Sequence, residues 1–424
     1  MLTTAFITYA LALLAASSAA PLEHSGVRIA LQTRDGVSSV PPVANHAALR
    51  RALERTAFKF HSGFAAFEAN TGQSHPLAIL PNLSGDNHNS TITRRGTTSQ
   101  GSVPLTEEND GDLWQGSITI GTPATTYAVQ FDTGSSDLFV PGPTCSDANC
   151  QGHAQYFPGS SSTSLDVQKT FLIRSPFGAV DGEQYDDTVT ISGLPSLKQR
   201  LGAASSYPSG YSKPYFPPDG VMGMAYQSIS VFDAPPVFQS LVAQKQLTTP
   251  AFSFKLTQAD AELFLGGANS DHYTGNFTYV PVTTKGYWQV KLDAVSVDGR
   301  TPIGNVRSVI DTGTKLIATR PAEARQLYGA IKGSKDASRT IGAGFYTFPC
   351  ASTLNVSLTF GGRSFGIAPS LFNLGPASSG SSDCIGAIVG QNSLSFWNIG
   401  DTFLQNVYST FDLGNDRVGF ATLK

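Results

Sequence analysis

The chain has 424 residues, of which 40% are hydrophobic and only 14% charged, and its formal net charge is −3. That length supports more than one core, and the hydrophobic content excludes a disordered chain. A weakly negative chain without a basic patch or an RNA-binding pattern excludes nucleic acid as a partner.

In chain order, residues 1–20 read as a secretion signal, with Leu11-Ala12-Leu13-Leu14-Ala15-Ala16 as apolar centre and Ser17-Ser18-Ala19-Ala20 as small residues for cleavage. The run is too short to span a membrane and no second long apolar run follows, so no membrane anchor is expected. Residues 21–95 carry eight Lys and Arg against five acids, whereas the remainder carries twenty against twenty-six. A basic leader on an acidic body suggests a propeptide lying across a negatively charged site as an intramolecular inhibitor. Within it, Ala47 to Arg55 is helix-like, and Arg94-Arg95 is a dibasic pair in a Ser/Thr-rich loop suited to processing.

From Trp114 onward short apolar runs alternate with turns, which predicts a mostly β, all-β class of fold. Expected strands include Gln115–Ile120, Tyr127–Phe131, Asp187–Ile191, Ala251–Leu256 and Glu262–Leu265. Helices are expected only near Pro236–Gln246, Pro321–Ile331 and Pro369–Leu374. The four cysteines suggest two disulfides in a secreted chain, Cys145 to Cys150 and Cys350 to Cys384, with free thiols or a metal site as the alternative. Zinc spacing is absent, so neither metal nor cofactor is expected. Asn82, Asn89, Asn276 and Asn355 open Asn-x-Ser/Thr triplets, and Asn276 and Asn355 are the glycosylation candidates of the mature region.

One stretch organises the rest. Val129-Gln130-Phe131 leads into Asp132-Thr133-Gly134-Ser135, and Ser308-Val309-Ile310 leads into Asp311-Thr312-Gly313-Thr314. Val221-Met222-Gly223, an apolar pair closed by glycine, follows the first, and Phe396-Trp397-Asn398-Ile399-Gly400 follows the second. Matched motifs at nearly matched spacing argue for a duplicated lobe, 96–272 and 273–424, with a carboxylate from each meeting at a pseudo-twofold axis. Two carboxylates a few Å apart cannot both ionise easily. Such a pair can hold a water between them, one acid taking its proton and the other polarising a carbonyl.

At these residues the chain resembles the pepsin-like aspartic proteases, from about Val103 to the C-terminus, in a form that suits a fungal, secreted zymogen. Ile120-Gly121-Thr122-Pro123, the two Asp-Thr-Gly motifs, Tyr287-Trp288-Gln289-Val290 and Phe411-Asp412 to Val418-Gly419-Phe420 carry the likeness. The resemblance implies a bilobal fold with a central cleft and endopeptidase activity on proteins or peptides at acid pH, by a monomer. It makes Asp132 and Asp311 the catalytic pair. Ser135 and Thr314 would then bond the outer carboxylate oxygens, Thr133 and Thr312 would reach to the opposite lobe, and Gly134 and Gly313 would let backbone approach the acids. In related zymogens a basic side chain plugs the acid pair, and Lys59 is the candidate here.

The departures concern substrate holding. Relatives carry a Tyr near the tip of a flap hairpin and a Trp that donates to it. This chain places Ser175 at the first position, followed by Pro176, Phe177 and Gly178, and Phe139 at the second. Both partners of one hydrogen bond are therefore absent together, which strands no buried group. Phe177 would cover the substrate as an apolar lid; the alternative is a peptide-binding protein with weak or no catalysis. Lys315 replaces a Ser and would favour an acidic substrate side chain, or would point to solvent. Gln130 beside Asp132 hints at a more polar pocket wall. A Ser-His-Asp site would need His153 or His272, and no nucleophile elbow accompanies either. The signal serves secretion and vacuolar delivery alike.

Overall fold

A computed structural model describes residues 43–78, 100–104, 106–108, 113–175 and 178–424. The expected signal, the Arg94-Arg95 site, Asn82, Asn89, Pro176 and Phe177 lie outside the described residues, as does the side chain of Ser175.

The chain is mostly β, and its strands form two large sheets, one per half, plus a shared one. In the first half eight described strands pair, with Thr125–Asp132 between Leu113–Ile120 and Gly220–Gly223. In the second half seven pair, with Arg300–Ile310 between Gln289–Val297 and Trp397–Ile399. The edge strand Arg363–Ile367 alternates exposed with buried positions, whereas the ends of the two acid-bearing strands are buried without interruption. Uninterrupted burial is what a central strand with a parallel neighbour requires, because both of its faces are covered.

The halves are joined more closely than a simple division at residue 272 implies. Ala251–Lys255 of the first half pairs with Val407–Asp412, which pairs in turn with Arg417–Leu423. This six-stranded sheet stacks Phe252 on Phe411 at 4.9 Å between ring centroids, with Trp288 packed edge-on against both. A smaller sheet holds Lys335–Asp336, Tyr346–Pro349, Asp383–Gly386 and Asn373–Pro376. Both expected disulfides are present, Cys145–Cys150 and Cys350–Cys384. The expected helices form with shorter ends, as Val237–Ala243, Pro321–Gly329 and Pro369–Phe372.

The leading helix, His46–Thr71, is far longer than the Ala47–Arg55 run suggested. Asn45 caps it by accepting from the backbone N–H of Ala48, and Gly72 ends it at φ 66° with its N–H on the Glu68 carbonyl. Leu49, Leu53, Phe60 and Phe67 recur at helical spacing and are buried against Tyr287, Leu316, Phe345 and Phe396 of the second half. Phe58 faces the other way, into the first-half cluster around Phe139, Ile173 and Tyr211. The helix therefore lies in the groove between the halves, buried on both flanks.

Candidate active site

Two strand ends deliver the two acids. Gln130, Phe131 and Asp132 pair in parallel with Val221, Met222 and Gly223. Val309 and Ile310, just before Asp311, pair in parallel with Asn398 and Ile399. The glycine ending each partner segment is required by space. A Cβ on Gly223 would stand 2.4 Å from the Ser136 backbone, and one on Gly400 2.0 Å from the Thr314 carbonyl oxygen.

Each acid is held by its own turn. Asp132 Oδ1 accepts from the Gly134 N–H at 2.8 Å, and Oδ2 from the Ser135 hydroxyl at 2.7 Å. Asp311 Oδ1 accepts from the Gly313 N–H at 2.9 Å, and Oδ2 from the Thr314 hydroxyl at 2.7 Å. The turns then lock onto each other. The Thr133 hydroxyl donates to the Ile310 carbonyl at 2.8 Å and the Thr312 hydroxyl to the Phe131 carbonyl at 2.7 Å. Each hydroxyl also accepts from the other threonine's N–H. A Cβ on Gly313 would lie 2.1 Å from Asp132 Oδ1, and one on Gly134 2.6 Å from Asp311 Oδ1, so each glycine makes room for the opposite acid.

Lys59 of the leading helix reaches between the acids. Its Nζ donates to Asp132 Oδ1 at 2.9 Å and to Asp311 Oδ1 at 2.5 Å. Burial alone would lower the lysine pKa, but the two carboxylates outweigh it and raise it. Burial raises Asp132 above the usual carboxylate range, and the neighbouring charge of Asp311 adds to that against the pull of Lys59. Burial presses Asp311 the same way, yet Lys59 and the Thr314 hydroxyl overcome it and hold Asp311 low. One acid of the pair thus favours its proton and the other its charge.

This geometry agrees with the comparisons to known proteins. The family model described as eukaryotic aspartyl protease matches residues 114–423. The chain belongs to that family. An aspartic protease of Phaffia rhodozyma is 45% identical over 76% of this chain and 79% of its own length. Pepsin A of Sus scrofa is 34% identical over 76% of this chain and 84% of its own. Major aspartyl peptidase 1 of Cryptococcus neoformans var. grubii is 31% identical over 78% and 74%. The protein is an aspartic endopeptidase, with proteins or peptides as substrates, and the fungal relatives fit the expected origin.

Around the acids the protease lines a cleft cavity with Gln130, Asp132, Ser135, Phe139, Ile173, Tyr211 and Val221, faced by Arg55, Phe58, Lys59 and Ser62 of the leading helix. Gln130 is buried in that wall and its side-chain N–H2 has no hydrogen-bond partner among the described residues. Phe139 sits in an aromatic cluster, its ring centroid 6.1 Å from Tyr207 and 6.0 Å from Tyr211. Phe58 packs on Tyr211 at 5.9 Å, so an apolar side chain of the leader already fills this subsite. The flap is the hairpin of Leu165–Ser175 and Gly178–Ile191, closing at the Ser175/Gly178 pair. Gly178 takes φ 132°, a conformation that favours glycine. The flap is pinned to the leader by the Ser62 hydroxyl, which donates to the Arg174 carbonyl at 2.9 Å. Lys315 is half-buried and does not line the cavity; its charge acts on the buried Asp401 carboxyl instead.

Two residues of this site carry no signal in a motif search. Tyr211 is brought in by a short 3-10 turn, Ser209–Tyr211. Asn398 lies two residues before Gly400, is wholly buried, and donates from Nδ2 to Asp311 Oδ2 at 2.8 Å. The register of the second-half sheet places it there.

Proposed function

We propose that the chain is the zymogen of a secreted acid endopeptidase in which Asp132 and Asp311 activate one water between them. The ionised acid takes a proton from the water as its oxygen bonds to the scissile carbonyl carbon. The protonated acid donates to the carbonyl oxygen, giving a diol; the first acid then passes the proton it took to the leaving nitrogen as the C–N bond breaks, and a diol hydroxyl returns its proton to the other acid as the C=O re-forms. The turns contribute by fixing both carboxylates before substrate arrives, so little reorganisation remains for the transition state.

The observation that carries this reading is Lys59 Nζ within 2.9 Å of one inner carboxylate oxygen and 2.5 Å of the other. A cation there neutralises the pair and occupies the space a catalytic water would need. Residues 21–95 are on this reading the propeptide, removed near Arg95 after a signal of residues 1–20 has sent the chain into the secretory route. Acid releases the leader by protonating the carboxylates that hold Lys59. Asn276 and Asn355 are exposed and suit glycans added on that route. Among the described residues no helix is long and apolar enough to cross a membrane. The mature enzyme acts outside the cell as a monomer, or in the vacuole, which fractionation of the producing cell distinguishes.

The test is to express the full chain, acidify it to between pH 3 and 5, and follow both its own shortening and its cleavage of a denatured protein. Loss of residues up to about Arg95, then substrate cleavage, is expected. Asp132→Asn should lower kcat by about 10²–10⁴-fold or more while leaving the fold intact by circular dichroism. Cleavage at the wild-type rate in that variant would overturn the mechanism.

A further inference from the structure

The two acids are held by matching turns but backed by unlike residues. Two positions before Asp132 stands Gln130, whose parallel partner is Val221. Two positions before Asp311 stands Val309, whose parallel partner is Asn398. Val221 and Asn398 are therefore equivalent places in the two halves, and only the second can donate a hydrogen bond. Asn398 uses that capacity on Asp311 Oδ2 at 2.8 Å. The oxygen already accepts from Thr314, so it is an acceptor and the amide must present its nitrogen. Asn398 Oδ1 has no partner among the described residues, so the amide is held here at the cost of a buried oxygen left unpaired by them. Leaving Lys59 aside, Asp311 then has three donors, from Gly313, Thr314 and Asn398, whereas Asp132 has two, from Gly134 and Ser135.

We propose that Asn398 is a positioning residue that fixes the negative charge of the pair on Asp311 and leaves the shared proton on Asp132. Asp311 is then the acid that takes the proton of the water, and Asp132 the one that donates toward the substrate carbonyl. The physical basis is that a donor to a carboxylate stabilises its charged form, more so in a buried site than in water. The other groups facing Asp311 do not undo this. Lys59 donates to both acids, at 2.9 Å to Asp132 and 2.5 Å to Asp311, and leaves with the propeptide. The Tyr287 hydroxyl and the Asp401 carboxyl, the latter also within reach of the Lys315 charge, are both pushed well above their ordinary values by burial and then by the charge of Asp311. Both shifts favour the uncharged form.

The inference rests on Asp132 and Asp311 being the catalytic pair, and its test separates the two claims. The full chain is activated by acid, and kcat/KM for a soluble peptide is measured across pH for wild type, Asn398→Val and Asn398→Asp. Valine is the residue that the first half carries at the equivalent place. Asn398 stabilises both the singly and the doubly ionised pair, so its loss moves the first ionisation and not the second. Asn398→Val is expected to shift the acid limb up by about one pH unit, a tenfold loss of kcat/KM at a pH below that limb, with the alkaline limb in place. Asn398→Asp, whose protonated carboxyl can still donate, is expected to return the acid limb toward wild type. Should the valine variant not fold, Asn398→Ser, whose hydroxyl stops short of Asp311, is read in the same way. An unmoved acid limb, or a profile that only loses height, overturns the assignment while an inactive Asp132→Asn leaves the pair standing. Full activity in Asp132→Asn removes the pair itself.

Discussion

The Asp132 half and the Asp311 half of the site share one backbone plan and differ in the polar groups packed behind it. Each sets an acid at the end of a buried strand, bonds its outer oxygen to a hydroxyl three residues on, and lets a glycine face the opposite acid. Behind the first acid lie Val221 and a satisfied carboxyl, Asp137, which accepts from the Ser230 hydroxyl and the Val231 N–H. Behind the second lie Asn398 and the buried Asp401 carboxyl, which faces the Trp114 indole N–H and is pushed well above its ordinary value by burial. A duplicated scaffold thus fixes where the acids stand, while the residues it leaves unconstrained decide how alike they are. Two chemically equal carboxyls would have no preferred place for a shared proton; unequal backing supplies one.

The leading helix touches both halves, and its contacts give the strongest way to break that comparison. Lys59→Gln removes the cation from a buried pair and is expected to weaken docking of the leader by about 3 kcal/mol. For Asp311, held below its ordinary 3.8, the stability from this contact is fully present above pH 3.8 and is lost as pH falls through its lower folded value. Lys59, raised above 10.5, keeps its part of the contact at every pH below that. Lys59→Gln, which lacks the contact that acid must undo, should therefore process at a pH at least about one unit higher than wild type. Electrophoresis of pH-jumped samples reads both; an unchanged midpoint would show that the lysine does not hold the leader.

The glycines behind the turns test how equal the two scaffolds are. Gly223→Ala and Gly400→Ala each press a methyl against backbone that cannot swing away. Each is expected to cost about 2–3 kcal/mol by thermal or denaturant unfolding. Gly400→Ala should be the worse, since its closest contact is 2.0 Å against 2.4 Å. Equal stability of both variants with wild type would mean that the halves have more slack than their packing implies. The smallest effect expected is at Thr56. Its hydroxyl meets that of Thr314 at 3.1 Å, a contact with the second half only. Thr56→Val should loosen the leader by about 1 kcal/mol, seen as a slightly raised processing pH, with mature kcat/KM unchanged.

Much of this was legible because the instructions are local. Asp132-Thr133-Gly134-Ser135 and its repeat name both acids, their hydroxyl partners and the cross-threonine bonds within a few residues of chain. Lys59 could be named as a plug only by its place in a basic leader, since a helix that crosses a cleft leaves no motif. The long helix was half visible; Leu49, Leu53, Phe60 and Phe67 carry its period, but Ser62 and Gly63 interrupt the pattern. Asn398 was invisible for a different reason. Its meaning comes from a parallel register linking it to Val309 across 89 residues of sequence, and a polar residue in an apolar run reads as noise until that register is known. Phe139 was read as a lost hydrogen bond. Its packing with Tyr207 and Tyr211 could not be foreseen, because Tyr211 arrives on an irregular turn. The shared sheet was missed because strand order is a long-range choice that periodicity does not encode.

That shared sheet also sets a schedule. Ala251–Lys255 finds its partner Val407–Asp412 only after about 150 further residues have been made. This sheet is therefore among the last parts to be completed, and a chain halted before residue 407 would leave Phe252 and Trp288 without Phe411 to pack on. Contacts this distant in sequence form slowly and leave apolar surface open meanwhile. The helix His46–Thr71 is made first and carries apolar residues for both flanks of the groove, so it can act as a jig for the two halves during that wait. On the proposed reading, in which the leader is removed, a mature chain that unfolds would have to refold without that jig.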